Sequence, residues 1–142
     1  MQVSLKRISG SKFEAVNEEG NGTVLDGPEI VGGVKAGVRP MEMVLMGLAG
    51  CAGVDVLLIL QKGKHRVDTL DIQVDGTRAD AVPAVFTDIH IVFEASGDFT
   101  EKQLARAADL SLEKYCSVAT MLRPGVSITH ETKFGGRTAL NK

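Results

Sequence analysis

The first third of the chain alternates apolar and polar positions as β-strands do. Val3 and Leu5 alternate with polar neighbours, and two further apolar runs start at Phe13 and Thr23. A stretch of Glu, Gly and Asn separates the last two runs and supplies the residues that turns favour. The pattern predicts three short strands within residues 1–30.

A long, almost uninterrupted apolar segment follows a glycine-rich loop at residues 29–39. Pro40 suits the first turn of a helix, where its missing N–H group costs nothing, and Glu42 is favourable near the positive N-terminal end. Apolar side chains lie on nearly every side of the predicted helix at residues 40–62. We therefore expect it to be the central helix of the core.

Three glycines in this helix, Gly47, Gly50 and Gly53, give it a surface of small residues. Each costs about 1 kcal/mol of helix propensity against alanine, so we expect a second helix or a ligand to pack closely there. The segment approaches the length of a membrane span, but the glycines and Asp55 favour a buried core helix. One chain has few aromatic side chains to cover it, which predicts a homodimer.

The second half of the chain predicts further strands, at residues 69–75, 86–93 and 126–134, from their alternating or apolar runs. These strands, with the helices, indicate an α+β fold. We expect a single domain over residues 1–134 and a frayed C-terminal tail at 135–142.

Two shorter helices lie between these strands. Thr100 and Gln103 have the spacing of a capping box, which predicts a helix start. Ser117 is the candidate N-cap of a short helix at 118–122.

Composition excludes several classes of function. The net charge is −2 without a basic stripe, and the chain has five Phe, one Tyr and no Trp, which argues against nucleic-acid binding. The polar N-terminus is unlike a signal peptide, so we expect a cytoplasmic protein without membrane attachment. His65, His90 and His130 share no metal-ligand spacing, and no nucleotide-binding motif is present, so neither a metal nor a cofactor is expected.

Cys51 and Cys116 are the candidate reactive residues, 65 positions apart. Intracellular cysteine pairs are more often catalytic or redox-sensing than structural, but two inert core thiols are about equally consistent with the residues alone. Cys116 precedes a helix start, and Lys114 is near, so local charge and exposure favour Cys116 as the more acidic thiol. Asp55, one turn after Cys51, would raise the pKa of Cys51 unless a cation pairs with it.

The segment Arg39-Pro-Met-Glu-Met-Val-Leu-Met-Gly-Leu-Ala-Gly-Cys51 resembles the central-helix motif of the OsmC/Ohr family. Tyr115-Cys-Ser-Val118 is similar to the second-cysteine motif of that family. The resemblance covers about residues 1–134. It implies an intertwined homodimer in which antiparallel sheets pack around a long central apolar helix.

The same resemblance implies a thiol peroxidase. Cys51 would attack an organic hydroperoxide and become a sulfenic acid, Cys116 would resolve it as a disulfide, and a dithiol reductant would regenerate both thiols. Arg39 and Glu42 are the candidates for orienting the attacking thiolate.

Two departures from the peroxidase pattern make the chain resemble the OsmC-like branch. Met41 stands directly after the proline, where the peroxidase branch has Glu, and Glu42 comes one residue later. The first hairpin offers Lys12 where the peroxidase branch has Arg. The alternative is therefore a dimer without peroxidase activity that binds an apolar small molecule at its interface.

Overall fold

The computed structural model describes residues 1–135, and the chain divides into two compact units, Met1–Val44 and Leu45–Lys142. Residues 136–142 of the predicted tail lie outside the described part. The single-domain prediction for residues 1–134 stays a prediction. The elements are β1 (Val3–Ser9), β2 (Lys12–Asn17), β3 (Gly22–Leu25), α1 (Pro40–Lys62), β4 (Val67–Arg78), β5 (Phe86–Gly97), α2 (Glu101–Leu110), α3 (Ser117–Leu122) and β6 (Ser127–Phe134).

The first unit contains an antiparallel sheet in the order β1-β2-β3. Leu5 pairs with Ala15, and Phe13 pairs with Leu25. This confirms the three predicted strands. The following loop includes a 3-10 turn at Glu29–Val31.

A buried carboxylate holds that loop. Asp26 is 1% exposed, and its two oxygens accept hydrogen bonds from the N–H groups of Gly27, Val34 and Ala36 and from the hydroxyl of Ser11. Hydrogen bonds from the N–H groups of Val34 and Ala36 are the main cause of the lowered pKa of Asp26. One side chain therefore satisfies several polar groups that the glycine-rich loop would otherwise leave without partners.

The second unit contains a three-stranded sheet in the order β4-β5-β6. β4 and β5 are antiparallel, as predicted, but β5 and β6 are parallel. The expectation of purely antiparallel sheets is therefore wrong for this pair. The connection through α2 and α3 is the reason, because a helical crossover returns the chain in the same direction.

Apolar residues of the sheet, α2 and one face of α1 form the core of this unit. Thr100 and Gln103 form the predicted capping box at the start of α2. A β-carbon at Gly53 would lie 2.7 Å from Cδ1 of Ile72, so the glycine allows close packing of α1 on the sheet. The buried stripe of α1 follows helical spacing and consists of Leu48, Ala52, Val56 and Leu60.

The opposite face of α1 is exposed in the single chain. Met46, Val54 and Leu58 are 52%, 56% and 50% exposed, and nothing lies within 4 Å of the place where a β-carbon at Gly47 or Gly50 would stand. Within residues 1–135, α1 is also the helix that is long and apolar enough to span a membrane, a test that core helices pass as well. Only 28% of its most apolar stretch is buried. One chain therefore does not cover this helix on every side, although the sequence predicts a central core helix.

Candidate thiol site

The first half of the site lies on α1. Cys51 is partly exposed, next to the buried stripe that contains Ala52. Asp55 follows one turn later, which places the carboxylate beside the thiol on nearly the same side of the helix.

A π-helical turn at Ser111–Tyr115 brings the second cysteine to α1. The N–H group of Cys116 donates to the carbonyl oxygen of Ser111 over 2.7 Å, which closes the wide turn. The buried hydroxyl of Ser111 donates to the carbonyl oxygen of Ala52 over 3.1 Å. This bond ties the turn before Cys116 to the residue after Cys51.

Cys116, and not Ser117, is the N-cap of α3. Its sulfur accepts a hydrogen bond from the N–H group of Ala119 over 3.4 Å, while Ser117 begins the helix and is exposed. The sequence prediction was wrong by one residue because sulfur is an unusual cap acceptor. A helix N–H group therefore faces the Cys116 sulfur.

The two thiols and a carboxylate meet at this point. The sulfurs of Cys51 and Cys116 and an oxygen of Asp55 all lie within 4.8 Å of one another. The disulfide that the resemblance implies requires the two cysteines to approach each other, and their sulfurs lie within 4.8 Å. A disulfide needs only a small further approach.

The two thiols differ in environment, and in the opposite sense to the sequence prediction. Cys116 is fully buried, and this burial raises the pKa of its thiol to about 11, although the N–H group of Ala119 lowers it and the neighbouring Cys51 adds to the rise. The prediction of an exposed Cys116 with a lowered pKa is therefore wrong. The two cations near Cys116 in the sequence have other contacts. Lys114 lies over the ring of Tyr115, and Arg123 donates to the carbonyl oxygen of Leu112.

Asp55 has a buried oxygen without a partner. Its Oδ2 is the buried side-chain atom that makes no hydrogen bond within the described part of the chain. Helical spacing predicts that Asp55 lies beside Cys51 but does not indicate that Cys116 joins them. The approach of the π-helical turn and Cys116 to α1, which only the fold provides, completes this cluster of three.

The histidines have other partners. His65 contacts the carbonyl oxygen of Asp98, and His90 contacts the hydroxyl of Thr129. His130 lies 2.7 Å from a carboxylate oxygen of Asp109.

Arg39 and Glu42 meet at the start of α1. The N–H group of Arg39 donates to Oε2 of Glu42 over 2.8 Å, so the carboxylate satisfies a backbone group at the helix start. This bond gives Glu42 a structural role. The predicted role of both residues at the thiolate of Cys51 stays a prediction.

Two sheets, a long apolar helix with a cysteine in its middle, and a second cysteine at a later helix start define a class of protein. The family described as OsmC-like protein matches residues 32–131, and the chain belongs to this family. It is 42% identical to Protein YhfA of Escherichia coli K12 over 131 residues, which cover 92% of this chain and 95% of YhfA.

Solved structures have the same fold. A hypothetical protein from Aquifex aeolicus VF5 is 33% identical, with a TM-score of 0.78 over 95% of this chain and 97% of the other. The organic hydroperoxide resistance protein OhrB of Bacillus subtilis is 17% identical, with a TM-score of 0.62 over 93% of this chain and 96% of the other. At that identity OhrB shows the shared fold alone.

Proposed function

We propose that this protein is a thiol peroxidase that reduces organic hydroperoxides with Cys51 and Cys116. The observation that carries the proposal is the asymmetric pair itself. The sulfurs of a partly exposed cysteine and of a fully buried one lie within 4.8 Å of each other. An accessible thiol can meet a substrate, and a protected neighbour can then resolve the product.

The reaction has three steps. The Cys51 thiolate attacks the peroxide, the O–O bond breaks, and the alkoxide leaves as an alcohol after it takes up a proton, while Cys51 becomes a sulfenic acid. The Cys116 sulfur then attacks the Cys51 sulfur, a disulfide forms, and the hydroxyl group leaves as water with the proton of Cys116. A dithiol finally reduces the disulfide and is itself oxidised.

The difference in burial supports a division of roles between the two thiols. Cys116 has no exposed surface, so a hydroperoxide cannot reach it without a structural change. Cys51 is partly exposed and lies next to the open apolar face of α1. This arrangement supports Cys51 as the attacking thiol and apolar hydroperoxides as substrates.

The proposal includes a homodimer in the cytoplasm, where dithiol reductants are kept reduced. The exposed apolar face of α1 supports a partner subunit, because an apolar stripe of this length is rarely left in water. The open space at Gly47 and Gly50 would let a second helix approach closely.

Stopped-flow kinetics test the proposal. The reduced protein should reduce cumene hydroperoxide and linoleate hydroperoxide faster than hydrogen peroxide, with dihydrolipoamide as reductant. Cys51→Ser should abolish the reaction. Cys116→Ser should allow one turnover and leave a sulfenic acid that a dimedone probe captures. Turnover in Cys51→Ser equal to the wild type would contradict the assignment.

The same assay tests Arg39 and Glu42. Glu42→Gln keeps an oxygen that can accept the Arg39 N–H group, so the helix start is preserved while the charge is lost. Arg39→Ala removes the guanidinium and keeps the backbone donor. Slower reduction in either variant, with unchanged unfolding by urea, would support a role in orienting the thiolate. Unchanged rates in both would remove them from the site.

The alternative is a dimer that binds an apolar molecule without peroxidase activity. A cavity of about 300 Å³ in the first unit favours it, lined largely by apolar residues, among them Val3, Leu5 and Leu25 of the three-stranded sheet and Met43 in the first turn of α1. A dimer that fails to reduce any hydroperoxide, yet binds a fluorescent apolar probe equally well in wild type and Cys51→Ser, would favour this function.

A further inference from the structure

The cluster of Cys51, Asp55 and Cys116 has the composition of a metal site. Two sulfurs and a carboxylate oxygen lie within 4.8 Å of one another. An ion of the Zn²⁺ class is held about 2.3 Å from thiolate sulfur and about 2.0 Å from carboxylate oxygen. In a tetrahedral arrangement the ligand atoms are then about 3.5 to 3.8 Å apart, so each has to move by no more than about 1 Å.

A second observation points to a cation. Oδ2 of Asp55 is buried and makes no hydrogen bond within the described residues. A buried carboxylate oxygen without a partner is costly, and a bound cation would satisfy it.

The three ligands are also well placed. Cys51 and Asp55 are held one turn apart on the long helix α1, and the π-helical turn and its Ser111 bond fix Cys116 against that helix. Cys51 is partly exposed, so solvent reaches this residue and a water molecule can serve as the fourth ligand.

We propose that in the reduced protein Cys51, Asp55 and Cys116 bind one thiophilic divalent ion of the Zn²⁺ class. Thiolate ligands select such ions and disfavour Mg²⁺ and Ca²⁺. Binding converts both thiols to thiolates and releases two protons to solvent. The proposal goes beyond peroxidase activity, and it does not depend on it.

The bound ion and the disulfide exclude each other, because both use the same two sulfurs. An organic hydroperoxide can take two electrons from the two thiolates and two protons from solvent. The disulfide, an alcohol and water form, and the ion is released. The ion would therefore protect the reduced thiols, and oxidation would free it.

Equilibrium binding of Zn²⁺ to the full-length reduced protein, in competition with a chromophoric chelator, tests the site. We expect one ion per chain, and Co²⁺ should give a thiolate charge-transfer band. Asp55→Asn should weaken binding by at least about tenfold, since even changes beside metal ligands cost about 10- to 100-fold. Glu113→Gln, the matched loss of an exposed carboxylate, should leave binding unchanged.

Surface histidines are the competing explanation. Equal Zn²⁺ affinity in the wild type and in Asp55→Asn, or equal affinity before and after disulfide formation, would overturn the proposal. So would the absence of binding at micromolar Zn²⁺.

A measurement on the wild type covers the case in which Asp55→Asn does not fold. Zn²⁺, but not Mg²⁺, should slow iodoacetamide labelling of both cysteines, as mass spectrometry of the peptides would show. Labelling unaffected by Zn²⁺ would refute the site. Because this readout needs no hydroperoxide, it can succeed when the peroxidase proposal fails.

Discussion

The hydroxyl of Ser111 donates a hydrogen bond to the carbonyl oxygen of Ala52, the residue next to Cys51. The carbonyl oxygen of Ser111 also accepts a hydrogen bond from the N–H group of Cys116. One buried serine thus links the backbones on both sides of the thiol pair. We therefore expect the distance between the sulfurs to depend on a polar contact as well as on apolar packing.

Ser111→Ala should separate the effect of this hydrogen bond from that of apolar packing. Loss of the hydroxyl removes one buried hydrogen bond. We therefore expect the free energy of unfolding, measured in urea, to fall by about 0.5 to 1.5 kcal/mol. Disulfide formation after one equivalent of hydroperoxide should also become slower, because Cys116 is less firmly held. Ser127→Ala, at an exposed serine, is the control. A disulfide rate equal to that of the wild type would show that packing alone positions Cys116.

The buried thiol predicts a pH dependence. Burial raises the pKa of Cys116 from 9.0 to about 11, so folding favours its protonated form. The resulting contribution to stability is present below pH 9 and is lost as the pH rises from 9.0 towards about 11. In Cys51→Ser, iodoacetamide labelling of Cys116 should be slow at pH 7 and should rise above pH 9, because burial, the largest cause of the raised pKa, remains while the contribution of Cys51 is lost.

Two controls accompany that experiment. In urea, Cys116 should label as an ordinary thiol because its burial is lost. In Cys116→Ser, the partly exposed Cys51 should label faster at pH 7 than Cys116 does in Cys51→Ser. Equal labelling of the two single-cysteine variants would contradict the division of roles.

Local patterns were sufficient to predict most of the fold. The helix begins at Pro40 and ends at Lys62, as predicted, because a proline and a sharp change from apolar to polar residues mark its ends. β4 extends beyond the predicted strand on both sides, since its length depends on hydrogen bonds to β5. The parallel pairing of β5 with β6 also depends on tertiary contacts, and the sequence pattern of neither strand indicates it.

The site was predictable only in part. The two cysteine motifs identified the thiols, but the burial of Cys116 comes from packing between distant segments. Helix spacing placed Asp55 beside Cys51, while the missing partner of its Oδ2 could be seen only in the folded chain. The cap at Cys116 was missed because the neighbouring serine is the commoner cap.

The loop held by Asp26 gives a third prediction, for acid conditions. The pKa of Asp26 is lowered from 3.8, mainly by the N–H groups of Val34 and Ala36. Folding therefore favours the ionised form, and this contribution is present above pH 3.8 and lost as the pH falls through the lowered folded-state value. The protection of the Val34 and Ala36 amides against hydrogen exchange should fall in that pH range.

Asp26→Asn should accelerate the same exchange at neutral pH, because the charge is lost and one of the two accepting oxygens becomes an NH₂ group that cannot accept a hydrogen bond. Glu29→Gln, at an exposed carboxylate of the same loop that pairs with Lys35, is the control and should change little. Unchanged protection of both amides in Asp26→Asn would show that the loop is held by other contacts.

The exposed face of α1 gives the last prediction, because a single chain and a dimer respond oppositely to a larger residue at Gly50. In a single chain the position faces open space, so Gly50→Leu should stabilise the helix by about 1 kcal/mol through its propensity. In a homodimer with close helices, the leucine would occupy the volume of the partner and separate the subunits. Light scattering at micromolar concentration should show a wild-type dimer and a Gly50→Leu monomer. Gly125→Leu, also in open space but outside α1, should remain dimeric. A dimer in both variants would place the interface elsewhere, and a monomeric wild type would refute the dimer.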